Sequence, residues 1–156
     1  MAFTPYLRNQ QTIILTGTPT NSTTNFADVT GMSFPMMAST IYQFHFDIIF
    51  QTAAKTTGIG LGVNGPASPS FVLVRTEIPT SLTAVTQGMA RAYDTGTSST
   101  AIDLQNANCY AKCYGFVSNG TNAGNLVLRF KSEVGTSQVS IMPGTMGRFW
   151  RVSPSN

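Results

Sequence analysis

His45 and Asp47 stand two residues apart in TIYQFHFDIIFQ, and His45 is the only histidine of the 156-residue chain. An imidazole held by a carboxylate is the base half of a hydrolytic triad, which also needs an activated hydroxyl. Ser and Thr are too common here for any one to be marked, and no G-x-S-x-G elbow is present. Asp47, Glu77, Asp94, Asp103 and Glu133 could supply the paired carboxylates of a glycoside hydrolase, but nothing in their spacing selects a pair. Gly60-Leu-Gly62-Val-Asn-Gly65 matches G-x-G-x-x-G, a pattern that cradles a pyrophosphate where a strand turns directly into a helix. Cys109 and Cys113 complete the set. On a strand they share one face about 13 Å apart, beyond the roughly 7 Å that a disulfide tolerates. C-x-x-x-C is also poor zinc spacing, and no second ligand cluster follows, so both read as buried thiols.

Whether any of these groups meet depends on the elements that carry them. Thr40 to Gln51 alternates without a break. Tyr42, Phe44, Phe46, Ile48 and Phe50 fall on one face, and Ile41, Gln43, His45, Asp47, Ile49 and Gln51 on the other. A period of two over twelve residues predicts a long strand with one core face and one half-polar face. Strand signals also occur at 11–17, 26–34, 71–78, 109–117, 125–133, 137–144 and 148–152, separated by Asn-, Gly- and Ser-rich turns. Residues 81–94 lack a clean 3.6 period and contain Gly88, so another strand pair is expected there rather than a helix. This spacing indicates an all-β, antiparallel sandwich or barrel in a single domain. The expected division is 1–25, an N-terminal arm or loop with a short strand, and 26–156, the β-sandwich.

In that setting Ile59, Leu61 and Val63 alternate with Gly58, Gly60, Gly62 and Asn64 along a strand, and Asn64-Gly65-Pro66 makes a turn. Without a helix N-terminus there is no amide cradle for phosphate. Glycines inside a strand then point to something that must come close, such as a ring, a backbone or another subunit. His45 and Asp47 read as residues of a polar sheet surface or subunit contact. Near the C-terminus, Met146, Arg148, Trp150 and Val152 share one face and Phe149 and Arg151 the other. Trp150 is either an interface anchor or a core residue with an Arg along its edge.

Composition narrows the function classes. Charged residues make up 10% of the chain, against roughly 25% in an average soluble domain. Thr, Ser, Asn, Gln and Gly must provide most of the polar surface, which suits strands and large assemblies. Nine basic residues against six acidic give a net charge of +3 with no basic run, so direct nucleic-acid binding is not expected. No stretch approaches the roughly 18 apolar residues of a membrane-spanning helix. The first residues, MAFTPYLRNQQTIIL, lack a signal-peptide pattern, so synthesis in the cytoplasm without an export signal is expected. Asn21 and Asn119, in N-x-[ST] sequons, then read as turn residues. The chain is expected to be no enzyme and to hold no cofactor or metal.

Three stretches in order carry a family resemblance: TIYQFHFDIIFQTAAKTTGIGLGVNGPASPS, GMARAYDTG and NLVLRFKSEVGTSQVSIMPGTMGRFWRV. They resemble a recurring series in tailed-bacteriophage virion proteins. There a Y-x-F-x-F strand precedes TTGI-x-L-x-V-N-GP, then an L-x-L-R-F-x-SE strand and a V-x-I-x-x-G-[ST] strand with an aromatic, basic tail. The resemblance covers roughly residues 29 to 153; Met1 to Asn25 has no counterpart. It implies a trimeric, jelly-roll-like β-sandwich on the virion exterior. One form is a head decoration, or cement, protein bound to the major capsid protein at capsomer junctions; another is a tail fibre or spike module that binds a receptor or glycan. The start at Met1, with no shaft or collagen-like repeat, suits decoration better. The expected subunit or capsid contact is Gln43, His45, Asp47, Ile49 and Gln51 on the half-polar strand face, or Arg148, Trp150 and Arg151 in the tail.

Overall fold

The computed structural model describes residues 10–152, and its regular structure is entirely β. Among the described residues eleven strands form two antiparallel sheets. The larger sheet runs in the order β1 (Gln10–Ile14), β11 (Met146–Arg151), β4 (Ile41–Thr52), β8 (Cys109–Ser118), β6 (Phe71–Pro79), β7 (Val85–Ala90). The short strands β2 (Thr20–Asn21) and β10 (Val139–Ile141) join it beside β4. The smaller sheet is β3 (Ala27–Met36), β9 (Gly124–Ser132), β5 (Ile59–Asn64). Early strands pair with late ones: β1 with β11, β3 with β9, β4 with β8. That nesting is a long hairpin rolled onto itself, and it makes the protein a jelly-roll-like β-sandwich.

The strand read most directly from sequence, β4, keeps its period. Every second residue from Tyr42 to Thr52 is buried. Its Phe44, Phe46 and Phe50 meet Phe34, Phe130 and Phe149 between the sheets, all nearly or fully buried. Tyr42, Phe149 and Phe34 stack in series, with centroids 4.5 and 4.9 Å apart. Each such ring contributes roughly 1.5–3 kcal/mol through burial. Two irregularities serve this core. A Cβ at Gly147 would lie 2.9 Å from the Phe46 ring, so only glycine lets that ring lie flat on β11. In β3 the register slips between Asp28 and Ser33, a bulge that Gly31 permits with φ of 91°.

Within the expected arm or loop with a short strand, the described residues 10–25 carry β1 and β2. β1 pairs along its full length with β11, and Leu15 is in the core. Residues 1–9 and 153–156 lie outside the described residues. Of the two sequon asparagines, Asn21 lies in β2 rather than in a turn and Asn119 in the β8–β9 connection, and both are buried. Asn21 donates to the carbonyls of Asn25 and Phe130, and Asn119 to those of Met37 and Asn122.

Residues 81–94 differ from the expected strand pair. Only β7 forms, turning back on β6, and the chain beyond it becomes a strap. Asp94 adopts a left-handed φ of 54°, which ends the extended run. Residues 94–99 then lie along β5, with Asp94 N–H donating to Val63, Thr97 accepting from Leu61 and Ser99 N–H donating to Ile59, all at 3.0–3.1 Å. The strap thus pairs along the free edge of β5, while the glycine face of that strand is met by Ser98 Oγ, the Lys131 stem and the Phe26 ring. A Cβ on Gly58 would overlap the Ser99 carbonyl, and one on Gly96 the Leu61 carbonyl. No helix follows β5 among the described residues, so the G-x-G-x-x-G match has no helix N-terminus to work with.

Candidate functional site

The outward face of the larger sheet gathers most of the residues expected to make contacts. Register places them in cross-strand rows. One row reads Gln10, Trp150, Gln43, Phe116, Leu73. The next reads Thr12, Arg148, His45, Tyr114, Arg75, Met89. A third reads Ile14, Met146, Asp47, Lys112, Glu77, Gln87. Beyond them Ile49 faces Tyr110, and Gln51 donates to Asn108 Oδ1 at 2.8 Å. Trp150 is therefore half-buried on the outer face, and Phe149 is the core aromatic of this strand. Arg151 is not part of this face; it pairs across from the buried Tyr42 and follows the inward parity.

Asp47 is the hub. Its carboxylate accepts from the Arg148 guanidinium and the Tyr110 hydroxyl, and His45 Nε2 lies 3.1 Å from Oδ1. Burial alone would raise its pKa, but the bonds from Tyr110 and Arg148 and the neighbouring His45 outweigh that and lower it. The Tyr110 hydroxyl is pushed the other way, to about 12, by burial and by the carboxylate it binds. His45 lies against the Tyr114 ring, with centroids 5.4 Å apart and planes within 15°. Tyr114 donates to Glu77 at 2.7 Å, a bond that raises its own pKa. Arg75 lies 3.7 Å from Glu77 and donates to Gln87 at 2.6 Å.

This arrangement makes a strut, not an exposed base. Both Asp47 oxygens are occupied, and among the described residues no Ser or Thr hydroxyl bonds to His45. Asp47 and Glu77 flank Lys112 in one row, but each carboxylate is committed to donors. Among the described residues no group of three His, Cys, Asp or Glu is placed to hold a metal ion. Cys109 and Cys113 are free thiols on β8. Cys113 is fully buried, with its pKa raised to about 12 by desolvation; Cys109 is half-buried and shifted up by burial and by Asp103.

Sequence reasoning missed Tyr110, Tyr114 and Arg75, and named Glu77 only among carboxylates from which no pair was selected. CYAKCYGFV and FVLVRTEI were legible as strands, but their register against β4 was not. The apolar half of the face was missed with them: Phe71, Leu73, Phe116 and Met89 are all exposed. Away from this face, Arg129 clamps the β3 bulge to the strap, 2.9 Å from Asp28 and 3.4 Å from Asp94. A groove of about 370 Å³ lies below the β6–β7 turn, lined by Leu82, Leu104, Asn108 and Tyr110 among others.

Fold and site together define a jelly-roll-like β-sandwich that presents one broad, internally braced sheet face. No protein-family model matches the chain, and no curated protein matches it. Among solved structures it is similar to the Eiger TNF of S. frugiperda, at 8% identity and a TM-score of 0.43, over 96% of both chains. It is also similar to the VP2 subviral particle of infectious bursal disease virus, at 11% identity and a TM-score of 0.41, over 94% of this chain and 38% of that one. The chain thus spans little more than a third of the VP2 chain. Both likenesses are distant, and the fold assignment rests on the strand pairing.

Proposed function

We propose that this protein is a non-enzymatic structural component of a tailed-bacteriophage virion. In this reading it is a head decoration protein that binds the capsid exterior as a homotrimer and ties capsomer junctions together. The observation that carries the reading is the outer face of the larger sheet. Its carboxylates are each committed to neighbours in the same subunit, while Phe71, Leu73, Phe116 and Met89 stand exposed beside them. A rigid, nearly neutral, partly apolar face suits docking on protein. The ordered series from TIYQFHF to MGRFWRV supports the virion assignment.

Its partners would be further copies of itself and the major capsid protein, with no nucleic acid, membrane or cofactor called on. The protein would be made in the host cytoplasm and reside on the capsid surface. Attachment at many equivalent junctions lets individually weak contacts resist outward pressure together. A second reading, a tail fibre or spike module binding a receptor or glycan, is favoured by the groove beside the exposed Tyr110 ring.

The test adds purified protein to tailed virions that lack it and images them by electron microscopy. Density at the capsomer junctions is expected. Density confined to the tail supports the second reading, and binding to neither overturns both.

A further inference from the structure

We infer that Asn64-Gly65, at the end of β5, is a site of spontaneous amide loss, and that its reaction loosens the seam between β5 and the strap. The inference goes beyond the readings above and holds whichever of them stands.

Asn-Gly occurs twice in the chain, at Asn64-Gly65 and Asn119-Gly120. Such a pair reacts when the glycine nitrogen attacks the side-chain carbonyl carbon, and glycine has no side chain to shield that nitrogen. The structure holds the two pairs differently. Gly65 N–H donates to Asn64 Oδ1 at 2.7 Å, and Asn64 Nδ2 donates to Asp94 Oδ2 at 2.9 Å. A nitrogen so bonded to a carbonyl oxygen lies about 3–3.5 Å from its carbon, the range of a near-attack pair. The second bond turns the leaving nitrogen toward Asp94 and away from Gly65. Both residues are half-buried, so water reaches them.

Asn119 is the opposite case. It is 1% exposed, and its Nδ2 is spent on the carbonyls of Met37 and Asn122. Its Oδ1 accepts no hydrogen bond among the described residues, from Gly120 or from any other. The same dipeptide is thus poised in one place and locked away in the other.

Water completes the step. Gly65 N forms a bond to Asn64 Cγ and gives its proton to solvent. The Cγ–Nδ2 bond breaks, and Nδ2 takes up a proton and leaves as ammonia. Water then opens the resulting succinimide at either carbonyl, giving aspartate or isoaspartate. Both products spoil the seam. Where Asn64 donated to Asp94, a second carboxylate faces the first, and Arg129 is already shared between Asp28 and Asp94. Isoaspartate also adds a carbon to the main chain, one residue beyond the Val63 carbonyl that accepts from Asp94 N–H. Packing keeps the glycine in place, because a Cβ there would lie 2.5 Å from the Tyr93 hydroxyl oxygen.

The test incubates the full chain in mildly alkaline buffer and follows both asparagines by peptide mass spectrometry. Amide loss is expected at Asn64 at least about tenfold faster than at Asn119. In denaturant the two rates should converge, since the folded geometry is then gone. Equal rates in the folded protein overturn the inference, as does no conversion at Asn64. The same preference persisting in denaturant overturns it too, because sequence rather than structure would then set the rate. Hydrogen exchange at the Asp94 amide reads the second half. It should quicken in aged wild type and in Asn64→Asp, and stay slow in Asn64→Gln, whose longer side chain closes the ring far more slowly. If Asn64→Asp does not fold, aged wild type still decides. Exchange unchanged after conversion overturns the loosening of the seam.

Discussion

Replacing Gly96 with alanine probes the strap that pairs along the edge of β5. A methyl group there would overlap the Leu61 carbonyl oxygen. Restoring an ordinary carbon–oxygen contact moves the strap by more than about 1 Å. Three backbone hydrogen bonds hold it, from Leu61, Asp94 and Ser99, at 3.1, 3.1 and 3.0 Å. A shift of that size carries the nearest two past the roughly 3.5 Å limit of a useful bond. Each is worth about 1 kcal/mol net, and the buried Leu61 N–H left unpaired adds about 1–2 more. The expected loss is about 3 kcal/mol. At roughly 2–4 °C per kcal/mol for a domain of this size, the melting temperature falls by about 6–12 °C. Gly135→Ala is the matched control. It has no atom within 4 Å of the added methyl and no left-handed backbone, so its stability should hold or rise slightly. Differential scanning calorimetry on both variants reads the result. An unchanged melting temperature for Gly96→Ala would refute the account of how the strap packs against β5.

Further outcomes follow from the same geometry. In a double-mutant cycle on Asp47→Ala and Arg148→Ala, denaturant unfolding should show a coupling of about 1 kcal/mol, since both groups partly meet solvent. Asp47 has a folded pKa below its ordinary 3.8, so its contribution is present above that value and lost as pH falls through the folded pKa. Urea midpoints from pH 5 to pH 2 should therefore fall less steeply in Asp47→Asn than in the wild type. An aromatic disulfide reagent at pH 8 should modify Cys109 slowly and Cys113 only after denaturant is added, because burial suppresses both thiolates. Millimolar ATP or NAD should leave the melting temperature unchanged; a rise would mean that β5 and its turn bind nucleotide after all.

How much could be read beforehand depended on whether a pattern was local. Twelve alternating residues declare β4, and Phe, Ile and Tyr at every second position state which face is inside. The glycine alternation in β5 likewise signalled a close neighbour, although not that the neighbour would be residues 94–99. That pairing joins segments some thirty-five positions apart, and Asp94-Thr-Gly carries no strand period. The site was half legible for the same reason. Gln43, His45 and Asp47 share a face by parity alone, and so do Arg148 and Trp150. Their meeting with Tyr110, Tyr114 and Glu77 depends on the register of β8 and β6, which bulges and turn lengths decide. FVLVRTEI read as a β-rich run without a stated face, yet its Phe71 and Leu73 face outward while Val72 and Val74 fill the core.

The nested pairing has a consequence for how the chain comes to be folded. β4 lies between β8 and β11, and β11 is the last strand in chain order among the described residues. Until it arrives, the longest strand of the protein has an open edge along residues 42–47, with Phe44 and Phe46 only half enclosed. Such an edge is a template for any other extended chain. Contacts between the first and last strands also close late, because the loop entropy is spent before the pairing rewards it. Synthesis on the ribosome therefore passes through a long interval in which the sandwich is most of the way assembled and most prone to pair with the wrong molecule. The sparse aromatic and basic stretch MGRFWR ends that interval.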